Sequence, residues 1–244
     1  MSANPMHQFE VYRIGPEIKL GSLNLSFTNA SLFMALSAIT ILLFLFFGTK
    51  KKLLIPSKLQ LVSEMSYTFV AKMINDTAGS NAKPFFPFIF TLFMFVLFCN
   101  MIGMLPYSFT VTSHIIVTFM LAAIVFVGVT VIGFIKHGIK YLELFVPKGV
   151  PAILLPLIVI IEIISYLSRP VSLSVRLFAN MMAGHTMLKV FGGFVISLGL
   201  LGGWLPLSFS VALTGLEILV AFLQAYVFAI LTCIYLNDAL NLHH

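Results

Sequence analysis

A chain of 244 residues in which 60% are apolar, 25 are Phe and only 9% are charged reads as an integral membrane protein, because soluble domains devote about a quarter of their residues to charges. Its net charge of +6 does not mark a nucleic-acid binder, since the lysines fall mainly in short segments between apolar runs, where they orient a chain in a lipid bilayer. Cys99 and Cys233 lie inside apolar runs without CxxC or Cys/His spacing, so they read as packing rather than as a metal or redox site.

Residues 1–28 are mixed polar, read as an outer-side segment, and show no cleavable signal. Residues 29–244 read as a single membrane domain counted in spans of roughly 20 residues. The first span, near 31–48, stops at Gly48 before Lys50, Lys51 and Lys52. Only Arg13 and Lys19 precede it, so the bias puts the N-terminus outside and the lysines on the cytoplasmic or matrix side. Residues 57–78 place Leu61, Met65, Phe69 and Met73 four apart among Lys58, Glu64, Lys72 and Asp76, an amphipathic helix for the inner surface. A span near 85–105 returns outward and closes at Pro106. One near 115–136 runs inward and meets Lys136, Lys140 and Lys148. With Lys83, these lysines gather on one side.

From Pro151 to Phe191 the sequence is helix-compatible for about 41 residues, roughly 60 Å at about 1.5 Å per residue and twice a hydrocarbon thickness of about 30 Å. It is either a hairpin turning near Arg169-Pro170 or a single, strongly tilted helix adjusted at Pro170. The same choice recurs after Gly192-Gly193, for a last apolar run near 205–238. Periodicity does not decide between them.

At about 100° per residue, Glu162, Arg169 and Arg176 stack on one stripe, with Ser172 and Asn180 beside it. His185 falls on the opposite face. Glu217 and Gln224 are again seven apart on the later helix. Ionisable groups at mid-bilayer cost about 2.5–3.5 kcal/mol each on the lenient insertion scale, so Glu162, Arg176 and Glu217 point to an ion or proton path. The plainer reading lets both arginines snorkel from a hairpin turn, with Glu162 paired to one of them. That reading accounts poorly for Glu217 and Gln224. Asn100 suits an interhelical hydrogen bond, His114 reads as interfacial, and His7, His137, His243 and His244 read as solvated.

The segment RPVSLSVRLFANMMAGH, followed about forty residues later by LEILVAFLQAYVFAILTCIYL, resembles subunit a of the F-type ATP synthase. NMIGMLP and the preceding helix extend the resemblance over most of the chain, the first 28 residues matching only loosely. It implies an all-α membrane fold in which two long tilted helices form, with their neighbours, a four-helix-type bundle against a ring of c subunits. The single-helix reading of 151–191 is therefore favoured. Peripheral-stalk b-type subunits and, indirectly, the F1 sector are the other implied partners.

By the same resemblance, Arg176 of the RLFxN motif faces the c ring and meets each carboxylate between two offset half-channels, where an always-protonated guanidinium favours the ionised form and blocks direct proton hopping. His185, of a residue type whose unperturbed side chain changes charge in the physiological range, and Glu217 belong with Asn180 and Gln224 to the outer path, and Glu162 and Ser172 to the inner side. Many bacterial relatives carry an acid at the position of His185 and a histidine at that of Glu217. The arrangement found here resembles alphaproteobacterial and mitochondrial members, and so implies a bacterial plasma membrane or a mitochondrial inner membrane, with protons rather than sodium as the transported ion. A secondary antiporter would show inverted repeats, which the sequence lacks, and a passive scaffold needs no buried Glu or Arg. With no Gly-rich phosphate loop or metal constellation, the chain is expected to need no cofactor and to hold no catalytic site of its own.

Overall fold

In the computed structural model, the described residues are 9–15, 19–20, 23–24, 26–50, 56–105, 108–146 and 154–241. Lys51, Lys52, Pro106, Lys148, His7, His243, His244 and the start of the span expected from 149 lie outside them. The architecture is all-α apart from a hairpin of two-residue strands, β1 (Lys19–Leu20) and β2 (Leu23–Asn24). Six helices follow: α1 (Asn29–Thr49), α2 (Lys58–Ala78), α3 (Phe86–Gly103), α4 (Ile115–His137), α5 (Leu155–Gly202) and α6 (Trp204–Leu240). All but α2 are long and apolar enough to cross a membrane. Large side chains such as Leu42, Ile116, Ile135 and Ile196 point away from the protein, as lipid-facing residues must.

The five apolar helices α1, α3, α4, α5 and α6 alternate in direction. The end of α6 is held where α4 ends and α3 begins: Lys136 Nζ donates to the Leu240 carbonyl at 2.9 Å, His137 Nε2 reaches the same oxygen at 3.2 Å, and Asn81 Nδ2 donates to Asn241 Oδ1 at 3.4 Å. His137 is thus half-buried and bonded, contrary to the solvated reading, because the last carbonyls of α6 need donors. At the other end Asn29 N donates to the Tyr12 carbonyl, and Phe33 meets Phe109 with centroids 6.2 Å apart. The described start of the chain and the end of α6 therefore sit at opposite ends of the bundle, as five crossings require.

α2 turns one side to the bundle. Leu61 and Met65 are exposed, and the buried side runs through Ser63, Val70, Met73, Ile74 and Ala78. Close approach decides which face turns inward: a Cβ on Gly48 of α1 would stand 2.7 Å from Ser63 Oγ, so small residues make the α1–α2 contact. The more apolar side of α2 is left facing outward. Phe69 joins the rings of Phe93, Phe222 and Tyr226.

α5 is one helix. It passes Pro170 without a hairpin and passes Gly192-Gly193 as well, continuing beyond the expected end near 191. The chain turns at Gly199, whose φ of 62° is the left-handed conformation that glycine adopts without a Cβ penalty. From Leu155 to the turn at Gly199, 45 residues, the helix is roughly 65 Å long at about 1.5 Å per residue. A bilayer about 45 Å thick including headgroups holds it only if it is steeply inclined. It packs along both α4 and α6, whose polar side chains supply partners for its own.

Candidate functional site

The two faces of α5 differ sharply. Tyr166, Pro170, Leu173, Ser174, Leu177 and Met181 are buried, whereas Ser172, Arg176 and Asn180 are exposed and Glu162 half-buried. The last four make no hydrogen bond or ion pair with any described residue. Helical geometry explains the separation: at about 100° per residue Arg176 and Asn180 sit on the flank away from the buried side.

Arg169 lies at the edge of the buried face and is fully engaged. Its Nη1 donates to Asp238 Oδ2 on α6 at 3.1 Å, and its guanidinium lies over Tyr166 and Tyr235 at 5.3 and 5.0 Å from the ring centroids. The reading in which Glu162 pairs with an arginine is not what the fold adopts. Glu162 is two turns nearer the start of α5, while Asp238 comes level with Arg169 from the antiparallel α6. Tyr166 extends the cluster, its hydroxyl 2.6 Å from Thr130 Oγ1 and 3.1 Å from the Tyr141 hydroxyl.

Toward the other end, His185 and Glu217 meet directly, the Nδ1 of one against the Oε1 of the other. The contact is enclosed, the side chains being 10% and 5% exposed. Gly184 makes room for it, since a Cβ there would stand 2.7 Å from Glu217 Oε1. On its far side His185 Nε2 is 3.0 Å from the Gly103 carbonyl, which also accepts from Ser108 Oγ at 2.9 Å and Thr110 Oγ1 at 3.1 Å. A carbonyl only accepts, so Nε2 carries a hydrogen. The contact between Nδ1 and Oε1 then holds one shared proton, drawn from imidazolium and carboxylate or from imidazole and carboxylic acid. Glu217 Oε2 is buried with no hydrogen-bond partner.

Asn100 joins this cluster. Its Nδ2 donates to the Ala221 carbonyl, one turn beyond Glu217, at 3.1 Å, and its Oδ1 is buried and unpartnered. Gln224 is buried on the same helix. The fold therefore brings His185 and Glu217 together, places Gln224 on the buried side of α6, and leaves Arg176, Asn180, Ser172 and Glu162 on the open side of α5. Among the described residues no group of three or more His, Cys, Asp or Glu could hold a metal ion.

Three participants escaped the sequence reading. Asp238 lies two heptads beyond Gln224 and three beyond Glu217, a signal that was available. Tyr166 is one turn before Pro170, where a helix loses a backbone bond, and its hydroxyl finds partners on neighbouring elements. The Gly103 carbonyl carries no sequence signal, since backbone acceptors look alike in every residue.

Comparison with known proteins agrees with this architecture. Residues 31–237 match the family described as ATP synthase A chain. The chain is 80% identical to the ATP synthase subunit a of Pelagibacter ubique strain HTCC1062 over the full length of both. It is 60% identical to the corresponding protein of Chelativorans sp. strain BNC1, again over all of both chains. The protein of Rhizobium leguminosarum bv. trifolii strain WSM2304 is also 60% identical, across 99% of this chain and 98% of its own. The chain belongs to the ATP synthase A chain family.

Proposed function

We infer that this chain is the proton-translocating stator subunit of the membrane sector of an F-type ATP synthase, a multi-pass protein of the bacterial inner membrane. One observation carries the reading of the site: Arg176 is a permanent charge on the exposed side of an apolar helix, with no acidic partner among the described residues. A guanidinium in the hydrocarbon region is costly unless paired. Its partner therefore comes from outside, and a rotor carrying one carboxylate per c subunit supplies it.

The chemistry follows from charge and position. A carboxylate opposite Arg176 is favoured as the anion, so a protonated rotor site arriving there releases its proton to one aqueous side. The same fixed charge repels a proton moving straight between the two paths. On the outer side the His185–Glu217 pair passes protons one at a time, with Asn180 and Gln224 along the route. Glu162 and Ser172, nearer the start of α5, serve the inner side. The transported ion is the proton, no cofactor is required, and peripheral-stalk b-type subunits hold the chain against rotation while nucleotide chemistry belongs to the F1 sector.

The test is Arg176→Ala in vesicles carrying the assembled enzyme. ATP-driven proton pumping should disappear with the subunit still incorporated. Pumping at the wild-type rate would overturn the assignment.

A further inference from the structure

The loop from α3 to α4 ends in a single buried 3₁₀ turn, Val111–Ser113, and His114 follows it at the start of α4. The imidazole stacks on Phe109, centroids 4.8 Å apart and planes 21° apart. Its Nε2 is nevertheless buried without a hydrogen-bond partner among the described residues, as is Thr112 Oγ1. An enclosed, unpaired polar atom is destabilising, and a phenyl ring would fill the same stacked position without it. A buried nitrogen kept at such a disadvantage calls for a chemical explanation.

The surroundings supply one. Thr110, which opens the turn, donates to the Gly103 carbonyl that also faces His185 Nε2, and Ser113 Oγ donates to the Thr110 carbonyl at 2.6 Å. One helical turn beyond His114, Thr118 Oγ1 lies 3.1 Å from Ser174 Oγ on α5, both buried. The loop that leads to His114 thus shares the Gly103 carbonyl with His185 through Thr110, and the Thr118–Ser174 pair lies one turn to the inner side. Few other ionisable groups intrude. Of the elements packed on the turn, α1 has no titratable side chain, α3 brings the Cys99 thiol, and α4 carries Lys136 and His137 at its far end. α5 brings His185, with exposed Lys189 one turn further out and Arg176 further in, and Glu217 of α6 stands behind His185. Burial holds His114 below the ordinary histidine range of about 6.5, so near neutral pH the ring is uncharged and able to accept a proton.

We propose that His114 is a further relay of the outer proton path, taking protons from the water of that path and returning them to it on the way to His185 and Glu217. A hydronium ion gives its proton to the neutral ring, the imidazolium gives it up on the inner side, and the ring returns neutral with no net change. The proposal rests on the proton-translocating reading above.

The experiment measures passive proton conductance through membrane sectors stripped of F1, against outer pH, at equal content of assembled subunit. His114→Gln should lower conductance by about a hundredfold, the low end of what a positioned acid–base group contributes, and should remove the inflection that a histidine with a lowered pKa places below about 6.5. His114→Phe, which preserves the stack on Phe109, should be equally impaired. Wild-type conductance with an unchanged pH profile in either variant overturns the proposal. If neither variant assembles, His114→Cys decides: outer Ag⁺ should block its conductance and not that of the wild type, and failure to block refutes the relay. ATP-driven pumping in Arg176→Ala separates this from the broader reading. Loss there with normal His114 variants removes only the relay, whereas retained pumping removes the stator assignment itself.

Discussion

Arg169 and Arg176 stand seven residues apart on one helix, and the sequence presents them as equivalents. The fold treats them differently. Arg169 has a carboxylate from α6 and two aromatic faces around its guanidinium, so its charge is neutralised within the chain. Arg176, about 20° further round the helix after two turns, has none of these and faces outward. A small rotation thus separates an arginine that holds two helices together from one whose charge remains available to another molecule.

Substituting lysine tests that contrast most severely, because it keeps the charge and removes the planar fork. Arg176→Lys should reduce coupled pumping almost to zero with assembly intact. Arg169→Lys should leave pumping close to wild type, and equal losses at both positions would erase the distinction. The next largest effect belongs to the outer pair. His185→Ala and Glu217→Ala should each slow passive proton flux, while the exchange His185→Glu with Glu217→His should retain more flux than the two single losses predict. Groups in one network couple by about 0.5–3 kcal/mol in a double-mutant cycle. Strictly additive losses with unchanged pH profiles would show two independent residues.

Smaller effects fall on the inner cluster and concern stability rather than transport. Asp238→Asn removes the anion that faces Arg169. The pair is only partly enclosed, at 21% and 37% exposure, so the loss should lie between that of a surface and a buried ion pair, about 2 kcal/mol, read as a lower unfolding midpoint of the solubilised membrane sector. Tyr166→Phe deletes one hydroxyl that contacts Thr130 and Tyr141, and should cost about 1 kcal/mol with pumping unchanged. A loss of pumping in Tyr166→Phe would show that the inner cluster does more than bind helices together.

Much of this was legible in the sequence. The spans, the lysine asymmetry and the heptad stripe follow from transfer energetics and helical geometry, which act locally. What stayed hidden depends on partners distant in sequence. Nothing near Arg169 names Asp238, 69 residues away, although the heptad from Glu217 through Gln224 reaches it. Which face α2 turns to the bundle was not legible, because the contact of Ser63 with Gly48 joins two small residues on different helices. Gly192-Gly193 looked like a break, but a helix within a bilayer has every reason to keep its backbone bonded, and the chain turns only at Gly199. The His185–Glu217 contact was foreseeable as complementary chemistry. Its third member, the Gly103 carbonyl, was not.

The bonds from α5 to α4 also have a mechanical meaning. Tyr166 to Thr130 and Ser174 to Thr118 tie the two helices at levels eight residues, or about 12 Å, apart. One such peg would leave a rod free to pivot, whereas two fix both its axial position and its roll. If a rotor drags tangentially on the open side of α5, the force passes through these pegs into α4. The orientation of Arg176 then survives each stroke through the shear stiffness of a two-point joint, located on the buried face of the helix.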